Sequence, residues 1–206
     1  MITVLSMLII FPLLALYMSS SGLYAYKKLK AEMKAYKDSI KVPDATFLSL
    51  KNDLEYNIAS FSDKVIIAHF YDKDSEYNDT VWSEIKRIQD EFQKKTKRVQ
   101  ILSFIMKEDS VAALQAILNT KADTSSWDLM LLKDMEINEF LSALKMDTSK
   151  APYSLTLIDR SSIVANYYDS RQREEVNNLM KHATILLPAK EDRRKIKFKR
   201  EKDVYQ

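Results

Sequence analysis

Short runs of apolar residues alternate with amphipathic stretches from about residue 42 to residue 188. Residues 64–71 are almost continuously apolar, which is typical of a strand buried on both faces of a sheet. Over residues 78–95, Val81, Ile85, Ile88 and Phe92 recur at helical spacing. The pattern therefore predicts a buried strand followed by an amphipathic helix, the first part of a parallel crossover unit.

The same alternation continues along the chain and predicts the remaining elements. They are a strand over residues 99–106, a helix from Asp109, a strand over residues 127–132, a helix through Phe140 and Leu144, a hairpin of residues 153–159 and 163–168, and a helix over residues 174–187. The resulting order, β-α-β-α-β-α-β-β-α, is that of an α/β, thioredoxin-like fold.

An apolar segment precedes this domain. Residues 2–26 contain no charged side chain, and about 20 such residues in a helix would cross the ~30 Å hydrocarbon layer. The sequence therefore predicts one transmembrane anchor over residues 1–26. The alternative, a cleaved signal peptide, requires a basic start and a small-residue cleavage site. The chain begins Met-Ile-Thr-Val, and residues 19–22 are only a passable cleavage context.

Basic residues flank the domain on both sides. Residues 27–41 contain six lysines and two acidic residues, and their composition predicts a helical stalk. Residues 189–206 contain eight basic and four acidic residues and predict a charged, flexible tail. Since the whole chain carries only +3, the domain over residues 42–188 is mildly acidic. A nucleic-acid partner is therefore not indicated.

Several residue types that mark active sites are scarce. The chain has no cysteine, two histidines and one glycine. Without cysteine there is no disulfide, thiol catalysis or thiolate metal site. Two histidines leave little material for a His-rich metal site or a Ser-His-Asp triad, and one glycine cannot build a phosphate-binding loop. The sequence thus indicates no catalytic residue, cofactor, metal or small-molecule substrate.

Segments spread over residues 42–188 resemble the SCO proteins, membrane-anchored thioredoxin-like factors that assemble the copper centre of cytochrome c oxidase. The similar segments are residues 42–47 (Val-Pro-Asp-Ala-Thr-Phe), 60–71, 127–133, and the pair 155–159 and 164–169. Their order and spacing together carry the resemblance. It implies a thioredoxin-like domain on the periplasmic, or equivalent, side of a membrane. The lysines after the apolar segment favour the opposite side by the positive-inside rule.

The resemblance also implies where the copper ligands of that family would fall. In SCO proteins they are a CxxxC pair after the first core strand and a histidine before the closing hairpin. The corresponding positions here are Asp74, Asn78 and Ala151, and the adjacent Pro152 resembles the cis-proline of thioredoxin folds. A carboxylate, an amide and a methyl group do not replace the soft ligands of Cu(I). We therefore expect these four residues to form a degenerate ligand site and a possible partner surface.

An acidic loop offers a second candidate site. Its oxygen ligands, which suit a hard cation such as calcium, are Asp72, Asp74, Glu76 and Asp79. The loop departs from the EF-hand pattern, because Tyr77 stands where the sharp turn needs glycine and Ser83 where the bidentate glutamate belongs. We expect a solvated loop before a helix N-terminus, where carboxylates are favoured by the helix dipole.

The histidines and methionines also have structural explanations. His69 lies inside the first predicted strand and is expected to be a hydrogen-bonded core residue. His182 lies among polar neighbours in the last helix and is expected at the surface. The nine methionines are scattered over the anchor, the stalk and core positions.

The sequence therefore favours a membrane-anchored, non-catalytic binding or scaffold protein. By resemblance its partner would be a respiratory oxidase or a factor that assembles it, with membrane lipid contacted through the N-terminal helix. The alternative is a metallochaperone with a non-standard site of methionine, histidine and carboxylate ligands.

Overall fold

The computed structural model describes residues 40–93, 96–107 and 126–188, together with residues 20, 22–24, 27, 28 and 31. The chain divides into two compact units, residues 1–37 and residues 38–206. The helix from Asp109, the charged tail and all of the predicted anchor except residues 20 and 22–24 lie outside the described residues. No helix among the described residues is long and apolar enough to cross a membrane.

In the part of the chain that the structure describes, seven strands form one mixed sheet in the order β2-β1-β5-β4-β3-β6-β7. The strands are β1 (Thr46–Ser49), β2 (Glu55–Asn57), β3 (Val65–Tyr71), β4 (Val99–Ile105), β5 (Trp127–Leu132), β6 (Ser154–Ile158) and β7 (Val164–Asp169). The described α-helices are α1 (Asn78–Gln93), α2 (Ile137–Ala143) and α3 (Arg173–Leu186). The strands and helices predicted between residues 64 and 187 are confirmed where the structure describes them. The stalk was predicted to be helical up to residue 41, but Lys41 forms an isolated bridge to Ile163.

The centre of the sheet is parallel. β3 pairs with β4 from Val65↔Val99 to Tyr71↔Ile105, and β4 pairs with β5 from Ile101↔Trp127. Every residue of β3 and β4 is buried, as the continuous apolar runs predicted, because helices or loops cover both faces of a parallel sheet.

The closing hairpin is set by its turn. The Asp159 carboxylate accepts the N–H groups of Ser161 (2.8 Å) and Ile163 (3.0 Å), and Ser162 takes a positive φ of 60°. This is the local hydrogen bonding that makes aspartate a turn residue. β6 and β7 are therefore antiparallel, as predicted, with a register shift at Leu157/Ile158.

The hairpin of β1 and β2 was not predicted as two strands. Their four and three residues are too few to show a period clearly, and β1 is held by tertiary pairing to β5, from Phe47↔Leu132 to Ser49↔Met130. Before it, Lys41 bridges Ile163 at the outer side of β7.

Two cores lie on opposite faces of the sheet. One contains the inward residues of α1 and α3, such as Ile85 and Leu179. The other contains Phe140 and Leu141 of α2, with Phe47 and Phe104 of the sheet. Phe140 lies 5.7 Å from Phe47 and 5.5 Å from Phe104 between ring centroids. Such aromatic clusters bury much apolar area and contribute strongly to stability.

The pairing defines two ends of the domain. At the carboxyl end of the sheet, β3, β4 and β5 finish, β6 begins and β7 finishes. At the amino end, β3, β4 and β5 begin, the β6–β7 turn lies, and residues 40–42 join β7. The carboxyl end holds the residues singled out by the resemblance.

Candidate functional site

The four residues singled out from the sequence lie on two segments at the carboxyl end of the sheet. Asp74 belongs to the loop after β3, and Asn78 begins α1. Ala151 and Pro152 belong to a single 3-10 turn, Ala151–Tyr153, that leads into β6. Because β6 is the antiparallel neighbour of β3, with His69 opposite Leu155, the loop and the turn lie at the same end of adjacent strands.

Asp74 is held by an ion pair. Lys107, which follows β4, places its Nζ 2.8 Å from Asp74 Oδ2 and 3.2 Å from Asp72 Oδ1. The hydrogen bond from Lys107 lowers the pKa of Asp74, and the bonds to Asp74 and Asp72 raise the pKa of Lys107. Asp74 and Lys107 therefore remain charged at neutral pH. Two carboxylates of this loop, those of Asp72 and Asp74, are thus paired with a lysine of the same chain.

Asn78 closes the same loop through its amide. Its Nδ2 donates to the carbonyl oxygens of Asp72 (3.0 Å) and Lys73 (3.2 Å). The Asp72 carboxylate in turn accepts the Asp74 N–H at 3.0 Å. A neutral amide bonded to two backbone carbonyls fixes loop geometry, and its nitrogen has no lone pair to offer a metal.

Ala151 and Pro152 do not reproduce the third ligand position or a cis-proline. Ala151 is fully buried, so its methyl group packs in the core. Within the described residues every peptide bond is trans, and the expected likeness of Pro152 to a cis-proline is therefore wrong. Pro152 lies near the start of a 3-10 turn, where its fixed φ suits the helical backbone and its missing N–H leaves no hydrogen bond unmade.

These side chains do not fit copper. Cu(I) is held by soft sulfur ligands, whereas the three positions present a carboxylate bound to lysine, an amide bound to the backbone and a buried methyl group. Among the residues that the structure describes, no three His, Asp or Glu side chains come together as a metal site. In the acidic loop Asp72 and Asp74 are paired with Lys107, whereas Glu76 and Asp79 are exposed.

A buried polar chain crosses the three parallel strands. The Trp127 Nε1–H donates to Ser103 Oγ at 3.0 Å, and His69 Nδ1 lies 3.3 Å from the same oxygen. Ser103 Oγ carries one proton and two lone pairs, so it can hydrogen-bond to both rings at once. Trp82 packs edge-on to His69 at 5.7 Å.

Burial lowers the pKa of His69 to about 4, and the carbonyl of Pro152 acts in the opposite direction by favouring the charged form. The ring is therefore neutral at physiological pH. The expectation of a hydrogen-bonded core histidine is confirmed. His69 is fully buried, so no solute can reach it as a ligand in this conformation.

An aromatic–arginine cluster beside the loop was not foreseen. The guanidinium carbon of Arg171 lies 3.6 Å from the ring centroid of Tyr153 and 4.9 Å from that of Tyr77. The two rings are edge-on at 5.4 Å. Arg171 also binds Asp169 through two nitrogens, Nε at 2.9 Å from Oδ1 and Nη2 at 2.6 Å from Oδ2. These four residues, Tyr77, Tyr153, Asp169 and Arg171, are called the Tyr–Arg cluster below.

Backbone contacts hold the two turns of the Tyr–Arg cluster together. The Tyr153 carbonyl accepts the N–H of Ser170 at 2.9 Å and its hydroxyl at 2.7 Å. Glu175, in the first turn of α3, accepts the Asp169 N–H at 2.6 Å. The Arg171 side chain is 36% exposed, so the cluster forms a fixed and accessible surface. Its members come from three distant segments, and no local sequence signal identifies it.

His182 is the clearest correction among the other candidates. The expectation that it lies at the surface is wrong, because it is 6% exposed and its Nδ1 lies 2.6 Å from the Tyr168 hydroxyl. It faces β7 on the apolar side of α3, where Val176, Leu179 and Ala183 are also buried. Its polar sequence neighbours lie on the other faces of the helix, which a reading by adjacency does not separate.

The methionines of the domain pack as expected. Met130 and Met146 are buried, and Met106 and Met135 pack against the core that contains α2. Met106 and Met135 also line a cavity of about 490 Å³ between the ends of β4 and β5 and the start of α2. The cavity rim includes Asp134, whose carboxylate accepts the Thr46 N–H at 3.0 Å.

Comparisons with solved structures identify the fold. The chain superposes on BsSco, described as a member of the Sco family of cytochrome c oxidase assembly proteins, with a TM-score of 0.60, 16% identity and coverage of 72% of this chain and 94% of that one. A SCO1/SenC family lipoprotein from Bacillus anthracis gives a TM-score of 0.57 and 17% identity, over 71% of this chain and 94% of that one.

Redox proteins of the same architecture also match. A putative thiol:disulfide interchange protein DsbE from Chlorobium tepidum gives a TM-score of 0.56 and 11% identity, over 73% of this chain and 97% of that one. No protein-family model matches the chain, and no curated protein matches it in sequence. The α/β thioredoxin-like fold and the structural likeness to SCO proteins are therefore confirmed, at identities that show the fold alone.

Proposed function

We propose that this chain is a membrane-anchored, non-catalytic binding or scaffold protein, and that it acts in the assembly of cytochrome c oxidase or as an accessory of the respiratory complex. In this proposal residues 1–26 are the anchor, residues 27–41 the stalk, residues 42–188 the thioredoxin-like domain and residues 189–206 the tail. The domain lies on the periplasmic, or equivalent, side of the membrane. The chain has no enzymatic activity.

The observation that carries the proposal is the bonding of the loop after β3. Where the resemblance places two thiols, Asp74 binds Lys107 at 2.8 Å and Asn78 binds two backbone carbonyls. Thiol–disulfide exchange needs a thiolate, and the chain has no cysteine. A domain that keeps the fold but lacks these ligands can still act by binding a partner protein.

The partner surface comprises the loop, the turn of Ala151 and Pro152, and the Tyr–Arg cluster beside them. Tyrosine and arginine are enriched among the residues that dominate binding energy at protein interfaces. Tyr77 and Tyr153 are half-buried and fixed by stacking on Arg171, so little side-chain entropy is lost on binding. In this proposal Asp74 and the Tyr–Arg cluster contact the partner, whereas Asn78, Ala151 and Pro152 lie beneath them and hold the loop and the turn in place.

Affinity purification of the full chain from its native membranes in mild detergent tests this function. We expect recovery of an oxidase subunit or a copper-handling assembly factor, and a loss of at least tenfold for Arg171→Ala, since central interface residues contribute about 2 kcal/mol or more. Lys145→Ala, an exposed lysine outside the surface, is the matched control. Recovery of no respiratory or copper-handling protein contradicts the proposal.

Metal analysis separates the scaffold from a metallochaperone. After copper loading and desalting, the purified full chain should retain far less than one equivalent of copper. Stoichiometric, tightly held copper would show a non-standard site and overturn the non-catalytic proposal.

A further inference from the structure

The cavity of about 490 Å³ at the carboxyl ends of β4 and β5 has an apolar floor. Its apolar lining residues are Ile105, Met106, Leu131, Leu132, Met135 and Ile137. Ile105 is buried and the other five are half-buried, and all six pack against the core on one or the other face of the sheet. The volume lies within the range of ligand-binding cavities, about 300–1,000 Å³.

One wall of this cavity is held in place by β1. Both carboxylate oxygens of Asp134 accept the Thr46 N–H, at 3.0 and 3.1 Å, and the Lys133 N–H donates to the Thr46 carbonyl at 3.0 Å. The bond from Thr46 lowers the pKa of Asp134, so this carboxylate is charged at neutral pH. The wall is therefore already in place before anything binds, which reduces the entropy lost on binding.

The rim of the cavity carries an excess of negative charge. It consists of Asp134, Glu136, Glu139 and one cation, Lys133, and all four are exposed. Glu136 directly precedes α2 and Glu139 lies in its first turn, so the two glutamates lie on one side of the helix. Neither forms an ion pair with another of the described residues. Three carboxylates against one ammonium group leave the rim negative.

The cavity adjoins the proposed partner surface. Met106 lines the cavity, and the next residue, Lys107, pairs with Asp72 and Asp74 of the loop after β3. Sites for small molecules usually bury most of the surface of the ligand, whereas the charged rim of this cavity is exposed. Such an opening suits a side chain that enters from a protein already bound to the loop.

We propose that this cavity receives a lysine or arginine side chain of the partner protein. The methylene stem lies on the apolar floor and the cationic head lies at the carboxylates of Glu136 and Glu139, because long basic side chains bury their stems on apolar surface and keep their heads in polar surroundings. An acidic side chain would be repelled by the three carboxylates of the rim. The inference rests on the proposed function, since it specifies the chemistry of that partner.

The methionines allow occupancy of the cavity to be measured directly by NMR. In the full chain, isotope-labelled at its methionine methyl groups and kept in detergent micelles, Met106 and Met135 line the cavity, whereas Met130 is buried in the core. Nα-acetyl-arginine amide should shift the methyl signals of Met106 and Met135, assigned from Met106→Leu and Met135→Leu variants, and leave the Met130 signal in place. Nα-acetyl-citrulline amide, a neutral analogue of similar shape, should shift none of them.

Two results of this titration would overturn the inference. One is the absence of any shift at Met106 and Met135 with the arginine amide, which would show that the cavity does not take a cationic side chain. The other is an equal shift with both amides, which would show that the charge of the rim does not select the ligand.

Matched charge removals make the test specific. Glu136→Gln with Glu139→Gln should weaken binding of the arginine amide about threefold or more, as expected for the loss of two exposed ion pairs. Asp63→Asn with Asp90→Asn, at two exposed positions outside the cavity, changes the net charge equally and should leave the affinity unchanged. Lys133→Gln, which removes the cation of the rim, should strengthen binding. Equal affinities of the two double variants would contradict the inference.

Affinity purification from native membranes shows whether the partner itself fills the cavity. Recovery of the partner should fall about threefold or more when Glu136 and Glu139 are both replaced by glutamine, and should be unchanged when Asp63 and Asp90 are both replaced by asparagine. Equal recovery with the two double variants would overturn the inference and leave the proposed function intact. If the unsubstituted chain recovers no respiratory or copper-handling protein, the proposed function fails, and the methyl shifts by themselves then decide the inference about the cavity.

Discussion

Two groups of polar side chains come from β3 and β4 or the loops after them, with Trp127 added from β5. One is the buried polar chain of His69, Ser103 and Trp127. The other is the set of ion pairs that Lys107 makes with Asp72 and Asp74. The first group is buried between the sheet and α1, whereas Asp74 is 63% and Lys107 48% exposed. In the buried group every lost hydrogen bond leaves a polar atom without water. In the exposed group water and salt replace the lost partner. We therefore expect mutations in the first group to change stability, and mutations in the second to change mainly the surface that a partner meets.

The largest effect is expected for Trp127→Ala. Trp127 is 2% exposed and stacks on Trp82 with a centroid separation of 5.0 Å. Its removal leaves a cavity and deprives Ser103 of its donor, so the free energy of unfolding should fall by about 3–5 kcal/mol. Urea denaturation followed by circular dichroism measures this. A loss below about 1 kcal/mol would show that the buried polar chain contributes little to the free energy of unfolding.

Acid should destabilise the protein through His69. The pKa of His69 is lowered from 6.5 to about 4 in the folded state, so the unfolded state binds more protons between these two values. Stability should therefore rise with pH from about 4 to 6.5, by up to about 1.4 kcal/mol per pH unit, and the contribution is complete above 6.5.

The control for this pH dependence is His69→Gln, which cannot titrate. The pKa values of Asp74 and Asp169 are lowered in the folded state, so the stability that they contribute is lost as the pH falls below the usual pKa range of a carboxyl group. Burial raises the pKa of Asp128, so ionisation of this group lowers stability as the pH rises just above that range. If the variant keeps the full slope between pH 5 and 6.5, another group causes it.

An intermediate effect is expected for Ser103→Ala. The substitution removes the shared partner of the Trp127 Nε1–H and His69 Nδ1, and unmade buried hydrogen bonds cost about 1–3 kcal/mol. Thermal and urea unfolding should both report the loss. Ser149→Ala, at an exposed position, should change the free energy of unfolding by less than about 0.5 kcal/mol. Equal losses for the two serines would contradict the comparison.

The smallest effect is expected for Lys107→Ala. It breaks the ion pairs with Asp72 and Asp74, yet exposed pairs contribute about 0–1 kcal/mol and are screened by salt. We expect a change within that range, smaller still at high salt, together with altered partner recovery. A loss above about 2 kcal/mol would show that the loop holds the fold.

The elements that the sequence predicted correctly are those with strong patterns. β3 and β4 are continuous apolar runs, and α1 repeats Val81, Ile85, Ile88 and Phe92 on one face. β1 and β2 lack such a signal, because their few residues gain stability only from pairing with each other and with β5. His182 was misplaced for a related reason, since burial depends on which side of the helix faces β7.

The candidate site, too, was predicted from the sequence only in part. The resemblance places the ligand positions of the SCO family at Asp74, Asn78 and Ala151, next to Pro152, and this placement stays a prediction. It did not foresee that Lys107 would pair with Asp74, that Asn78 would bind the backbone, or that Pro152 would follow a trans bond. Arg171 lies 94 residues after Tyr77 in the numbering of the sequence, yet its guanidinium stacks on that ring.

The sequence by itself determined the α/β character of the domain, the absence of thiol chemistry and the basic charge of both flanks, because apolar period, composition and charge are local properties of the chain. Only the tertiary structure decided which residues meet: the buried chain across β3, β4 and β5, the Tyr–Arg cluster, and the amino end at which residues 40–42 join β7. These depend on strand order and register, which are set by long-range pairing and packing and leave no fixed spacing in the sequence.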